Sequence, residues 1–233
     1  MNLLPHAQDV KTLFNQIAPV YDQMNDGLSF GIHRLWKAMT VKWSQPSNGG
    51  LALDLCCGSG DITFLTAKQM RQGKVIGIDF SCELLAEAKR KQTGKFLASD
   101  VEWLEADVLA LPFDDNYCDS ATMGYGLRNV IDIPSCLLEI RRVLKPCAKV
   151  AILDFHKPEA DWVANSQKWY LDNVVVRMAD FLNIKAEYEY IYPSIERFPD
   201  GKEQINLALN AGFTHAIHYP LLGGIMGVLV LTK

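Results

Sequence analysis

The sequence predicts an α/β fold, a mostly parallel sheet of seven strands with helices on both faces. Three observations carry that expectation. Leu51 to Asp61, LALDLCCGSGD, is an apolar strand that breaks into a turn holding Gly58 and Gly60, then enters helix-compatible ITFLTAKQM. Apolar runs and helical periodicity then alternate as far as Asp154, as strands joined by right-handed crossovers do. Acids close the second and third apolar runs, Asp79 in KVIGID and Asp107 in WLEAD.

Taken in order, residues 1–48 precede the alternation, are aromatic and helical in places, and suit a lid over the strand ends. Residues 49–233 form a Rossmann-like core, with a helical substrate cap over 155–200. Strands are expected at 51–56, 74–79, 101–105, 118–123 and 148–154, with helices clearest in CELLAEAKRK and IPSCLLEIRRVL. DWVANSQKWYLDNVVVRMADFLNI, 161–184, reads as one amphipathic helix, and PSIERFPDGKEQINLALNAGF as another that ends at Gly212. FTHAIHY and MGVLVLT read as a closing hairpin around a glycine-rich turn.

Composition narrows the class. A chain of 233 residues with 49% apolar and 21% charged residues can bury a full core. A net charge of −4 with no basic run argues against a nucleic-acid partner. The six cysteines show no C-x-x-C pairing and read as reduced core thiols, with no metal site expected. The N-terminus lacks signal or transit character, and LLGGIMGVLVL is too short and glycine-broken to span a bilayer. A cytoplasmic protein, or one peripheral on an inner or thylakoid membrane, is expected.

Glycines at a strand-to-helix turn let a nucleoside approach the backbone. A dinucleotide fingerprint would place a third glycine where Thr63 stands, and the Asp61 carboxylate would repel a pyrophosphate. S-adenosylmethionine has no phosphate and carries a sulfonium, so it suits this turn. Asp54 with Gly58 and Gly60 is similar to the acid-x-G-x-G-x-G element of class I methyltransferases, with Cys56 in place of the first glycine. Asp79 is placed for the ribose hydroxyls and Asp107 for the adenine amino group, although Asp107 also suits a strand-end turn. Ser59, Phe80, Val108 and Gly124 complete the expected donor set.

FNQIAPVYDQMNDGLSFGIHRLWK, with Tyr21, Asp22, Met24, Asn25, Ser29, His33 and Trp36, resembles a signature of the ubiquinone/menaquinone biosynthesis C-methyltransferase family. GLRNV at Gly126 to Val130, RRVLKP at Arg141 to Pro146 and SIERFPDG at Ser194 to Gly201 resemble further family strings. MGYGLRNV looks most like the cyanobacterial and plant branch, which methylates 2-phytyl-1,4-naphthoquinol to phylloquinol. Two places depart: Pro146-Cys147-Ala148 where many relatives have Pro-Gly-Gly, and Asp154-Phe155-His156 where many have Glu-Phe-Ser.

The resemblance implies a class I S-adenosylmethionine-dependent fold and C-methylation of a prenylated naphthoquinol. It leaves room for a homodimer and for peripheral membrane contact. Candidate catalytic residues are Arg128, to stabilise a phenolate or hold a water, and Asn129, to orient the same oxygen. A structural ion pair and a turn cap are the ordinary alternatives. Tyr21, Asp22 and His33 are candidates for proton handling, against packing for Tyr21, a helix cap for Asp22 and helix packing for His33. Tyr125, Trp36 and Trp169 are candidate walls of the acceptor pocket, with plain apolar packing as the alternative for both tryptophans. Menaquinone, ubiquinone, plastoquinone and tocopherol-pathway quinols are other possible acceptors. An NAD(P)-dependent oxidoreductase, a non-catalytic lipid binder and a nucleic-acid methyltransferase are remoter readings.

Overall fold

The computed structural model describes residues 31–158, 160–175 and 191–233. Tyr21, Asp22, Met24, Asn25 and Ser29 lie outside them, as do Met178 and Phe181 of the predicted 161–184 helix. In chain order the elements are α1 His33–Ser44, β1 Leu51–Leu55, α2 Asp61–Gln69, β2 Lys74–Asp79, α3 Cys82–Gln92, β3 Asp100–Glu105 and β4 Cys118–Gly124. There follow α4 Ile133–Val143, β5 Leu144–Phe155, α5 Asp161–Tyr170, α6 Ile191–Arg197, α7 Gly201–Asn210, β6 His215–Leu221 and β7 Met226–Thr232.

Seven strands form one sheet in the order β3-β2-β1-β4-β5-β7-β6. The first five are parallel, and β7 runs antiparallel to both β5 and β6. Strands β1, β2 and β4 are covered on both faces, which is why they read as unbroken apolar runs. The edge strands β3 and β6 keep exposed positions along their length. Helix α1 packs on α2 and across β4 and β5, while α4 and α7 pack together on the other face. The part of the expected lid that is described thus forms a helical layer of the core.

The chain reverses direction across the sheet between β1 and β4, the topological switch point where ligands bind in such folds. The glycine turn leaves β1 there. Gly58 and Gly60 have φ of 55° and 90°, and the Trp103 ring occupies the space a Cβ on Gly60 would need. Cys56 and Cys147 stand where the family pattern has glycine, and both have positive φ, 52° and 63°. Each carries about 1 kcal/mol or more of backbone strain that a glycine would not. The Cys56 side chain fits because Gly126 leaves the space beside it.

Two sequence expectations need correction. The segment from Pro193 to Gly212 is not one helix: α6 ends at Arg197 and α7 begins at Gly201. Pro199 has no N–H to continue the ladder, and Asp200 starts a new helix with a reciprocal capping box to Glu203. The cysteines are not mostly core. Cys118 and Cys136 are buried, Cys56 and Cys57 are half-buried, and Cys82 and Cys147 are exposed, all as free thiols. Cys82 opens α3 and Cys147 sits in a tight bend, so neither faces the interior.

Candidate active site

Three adjoining pockets of about 70, 40 and 20 Å3 run along the carboxyl ends of β1, β2 and β4, and Cys56 lines all three. The first is bounded by Phe80, Asp107, Val108, Asn129 and Ile131 and is the candidate adenine slot. The second adds Gly58, Gly124 and Tyr125 around Asp79. The third lies over the glycine turn, between Lys37, Ser59, Asp61 and Tyr125. A larger cavity, about 690 Å3, opens between α1, α2 and residues 95–98. It shares only Lys37 and Asp61 with the strand-end pockets, so volume does not decide the site; the convergence of polar groups at the switch point does.

Local structure explains why these groups converge. Asp79 ends β2 with Oδ2 accepting the Gly58 N–H at 2.8 Å and Oδ1 the Ser81 N–H at 2.9 Å. Both oxygens are thus oriented by backbone, at the strand end where a ribose diol is expected. Ser81 in turn caps α3 by accepting the Leu84 N–H. Asp107 lines the adenine slot, and its Oδ1 also accepts the Leu109 N–H at 2.9 Å, so it serves the turn as well. Asn129 donates from Nδ2 to the Tyr125 carbonyl at 3.0 Å, while its Oδ1 is buried with no partner among the described residues. An acceptor orphaned beside the adenine slot fits a ligand that carries an amino group there. The residues present therefore fit the adenosine part of S-adenosylmethionine.

Asp54 lies beneath the turn and is fully buried. It accepts from Thr63 of α2 at 2.6 Å and from Thr122 of β4 at 2.9 Å, tying three elements together. Burial pushes its carboxyl up to about 7, against the Thr63 and Thr122 hydrogen bonds and the Lys37 charge. Burial beside Asp79 also raises the Cys56 and Cys57 thiols well above their ordinary range, so neither is a ready nucleophile.

The acidic opening of α2 differs from expectation. Burial favours protonation of Asp61, but Lys37 at 2.7 Å and then Lys91 at 3.4 Å outweigh it and hold the carboxyl at about 2. Asp61 is thus not a free negative charge that repels phosphate. It is a paired group that ties α1 and α3 to α2. Sequence reasoning passed over Lys37 and Lys91, whose signal was a lysine on the buried face of an amphipathic helix. Lys37 is 4% exposed.

Arg128 and Asp154 form a buried ion pair, Nη1 to Oδ1 at 2.6 Å. Asp154 Oδ2 also accepts the Arg128 N–H at 3.0 Å, and Nη1 donates to the Tyr125 carbonyl at 2.8 Å. Tyr125 has φ of 60°, a conformation that a bulky residue keeps only when its surroundings impose it. Arg128 and Asn129 both clamp its carbonyl, which fixes the ring against Phe155 and near Trp36. His33 is buried but faces the larger cavity, and Trp169 is 63% exposed away from the strand-end pockets.

His156 and His218 meet at 3.2 Å above Gly227. Gln204 Nε2 also donates to the Pro199 carbonyl, so it presents an N–H to His156 Nδ1 at 3.3 Å and leaves the His156 proton on Nε2. Burial, then the His218 charge, lowers His156 to about 3 from 6.5. Above about pH 6.5 it is neutral in both folded and unfolded chains; below that, only the unfolded chain readily takes the proton. His156 therefore lowers stability as pH falls from 6.5 toward 3, whereas Asp54 lowers it as pH rises from 3.8 toward about 7. Urea unfolding of His156→Gln at neutral pH and at about pH 5 is expected to show a smaller loss on acidification than the parent. An equal loss would place the acid sensitivity elsewhere.

Comparison with known proteins decides the kinship. A family model for the ubiE/COQ5 methyltransferase family matches residues 3–233. The chain belongs to that family. It is 56% identical over 226 residues to a 2-phytyl-1,4-naphtoquinone methyltransferase of Nostoc punctiforme, covering 97% of this chain and 98% of that protein. It is 54% identical to one of Trichormus variabilis, covering 97% and 99%. A chloroplastic 2-phytyl-1,4-beta-naphthoquinone methyltransferase of Arabidopsis thaliana is 49% identical, covering 96% and 87%. Among solved structures, a SAM-dependent methyltransferase of Thermotoga maritima superposes with a TM-score of 0.68 at 18% identity, covering 95% of this chain and 99% of that one. One of Aquifex aeolicus gives 0.60 at 21%, covering 84% and 88%. The fold is the class I methyltransferase fold, and this family member is an S-adenosylmethionine-dependent methyltransferase.

Proposed function

We propose that this methyltransferase transfers a methyl group to a ring carbon of a prenylated naphthoquinol, with 2-phytyl-1,4-naphthoquinol as the acceptor, in phylloquinone formation. The observation that carries the acceptor is identity of 54–56% along nearly the whole of both chains to relatives named for that quinone. S-adenosylmethionine, when bound, supplies an electrophilic sulfonium methyl. The chain's own residues then have three tasks: to hold the donor, to present the acceptor carbon in line, and to exclude water.

Asp79, Asp107, Asn129 and the Gly58 turn hold the adenosine end. Tyr125, Phe155 and Trp36 supply an apolar wall next to Gly124, where donor and acceptor meet. Arg128 acts as a positioning residue in this reading, because its charge is matched by Asp154 and its hydrogen bonds go to the Tyr125 backbone. The domain division stays part of the proposal: a helical lid over 1–48, a core over 49–233 and a substrate cap over 155–200, with α1 of the lid packed on α2, β4 and β5. A phytyl tail makes the acceptor membrane-resident, so the proposal includes peripheral contact with a cytoplasmic or thylakoid membrane face. Trp162 and Trp169 of α5, 74% and 63% exposed, support that contact. Among the described residues no helix is long and apolar enough to cross a membrane.

A quinone ring carbon is electron-poor and does not attack a sulfonium; the reduced quinol, on losing a hydroxyl proton, does, taking the methyl as the sulfur–carbon bond breaks to leave S-adenosylhomocysteine, and then giving up its ring proton to solvent. Methyl transfer is therefore expected only with a reductant present. Equal initial rates on the oxidised and reduced acceptor would contradict the reading, as would faster turnover of a benzoquinol than of the naphthoquinol.

A further inference from the structure

We propose that Lys37 anchors the carboxylate of the donor's amino-acid tail. The inference rests on the donor being S-adenosylmethionine and is independent of which quinol accepts the methyl group.

The order of the pockets fixes which part of the donor reaches Lys37. The adenine slot lies at one end, against Phe80, Val108 and Asn129, and the diol-binding Asp79 borders the middle pocket. The third pocket is the far end of the same run, over Gly58 and Ser59, and Lys37 forms part of its wall. A ligand laid out from adenine through ribose presents its amino-acid tail there. That tail ends in an ammonium and a carboxylate, and the carboxylate needs donors.

Lys37 is suited to supply them. Its ammonium has three N–H donors. Asp61 Oδ2 at 2.7 Å accepts one, the only hydrogen bond of this ammonium among the described residues, and the Tyr125 ring lies 5.8 Å from Nζ to its centroid. A lysine that is 4% exposed and uses one hydrogen bond is under-satisfied for its burial. Asp61 is also shared with Lys91, so its charge is not spent on Lys37 alone. Asp54, the other acid on this pocket, is pushed up to about 7 by burial and supplies no full countercharge at neutral pH. A ligand carboxylate completes the set, and a charge-assisted hydrogen bond in so enclosed a place is strong. The opposite arrangement, in which Lys37 only bridges α1 to α2, predicts no dependence on the ligand's charge.

The test compares two ligands by titration calorimetry: S-adenosylhomocysteine, and 5′-(3-aminopropylthio)-5′-deoxyadenosine, the same molecule without its carboxylate. For Lys37→Met, S-adenosylhomocysteine is expected to bind about 10- to 100-fold more weakly, with the decarboxylated ligand changed by less than about threefold. Lys37→Arg is expected to restore most of the loss. The double variant Lys37→Met/Asp61→Asn, which leaves no acid without its partner, is expected to show the same ligand-selective loss and serves if the single variant does not fold. Equal weakening of both ligands, or no weakening of either, would overturn the assignment. Unchanged affinity with a raised KM for the quinol would move Lys37 to the acceptor instead.

Discussion

Asp79→Ala is expected to reduce affinity for S-adenosylhomocysteine by at least about 100-fold, since two hydrogen bonds to a charged group are worth roughly 3 kcal/mol or more together. The size of the effect follows from what Asp79 does on both of its sides. Toward the protein it accepts the Gly58 and Ser81 N–H groups, and so sets the glycine turn and the start of α3. Toward the pockets it lines the wall at the end of β2, where the proposed function has it accept a ribose diol. Alanine removes both roles together. Asp79→Asn separates them, because an amide keeps one acceptor and turns an N–H₂ toward a backbone N–H that needs an oxygen. Titration calorimetry should rank the parent above Asn and Asn above or equal to Ala. Parent-like affinity in the alanine variant would remove Asp79 from the donor site.

The second large effect concerns Arg128. Its removal leaves Asp154, 1% exposed, as an uncompensated buried charge. Breaking a buried pair from one side costs about 3–5 kcal/mol, so Arg128→Ala is expected to lower unfolding stability by that amount. The double variant Arg128→Met/Asp154→Asn carries no charge and keeps an oxygen for one of the Phe155 and Arg128 backbone N–H groups, which bond different carboxylate oxygens in the parent. It is expected to recover part of the stability. It should not recover activity, because the Tyr125 carbonyl still lacks the Nη1 donor that helps hold its left-handed backbone. Chemical denaturation and initial rates on the same preparations separate the two. A fully active double variant would show that the clamp on Tyr125 is dispensable. Parent-like stability in Arg128→Ala would show that the pair contributes nothing.

Much of the candidate donor site is legible along the chain because it is built from segments that are each local. A strand, a glycine turn and a helix start lie within eleven residues, Leu51 to Asp61, and Asp79 ends the next strand. The central strands were legible because burial on both faces leaves unbroken apolar runs. What was not legible depends on pairing at long range. Asp61 looked like a free acid because Lys37 and Lys91 lie 24 and 30 residues away. For Arg128 the sequence leaves a structural ion pair open beside a phenolate partner, and it does not name Asp154, 26 residues on, as the acid. The break between α6 and α7 is legible in Pro199 and in the capping-box pair Asp200 and Glu203, local signals that outweigh the apolar positions on either side. Tyr125, Gly124 and Asn129 were placed at the site by their position after β4, but the strain at Tyr125 is a backbone property with no residue signature.

The central claim is that this site joins a methyl carbon to a ring carbon of a reduced naphthoquinone. The most direct measurement incubates the purified protein with deuteromethyl-labelled S-adenosylmethionine and reduced 2-phytyl-1,4-naphthoquinone, then locates the label in the product by mass spectrometry and carbon NMR. The account predicts one labelled methyl on the ring carbon next to the phytyl substituent, and none without reductant. A label on a quinol oxygen, or no labelled product while the donor binds, would contradict it.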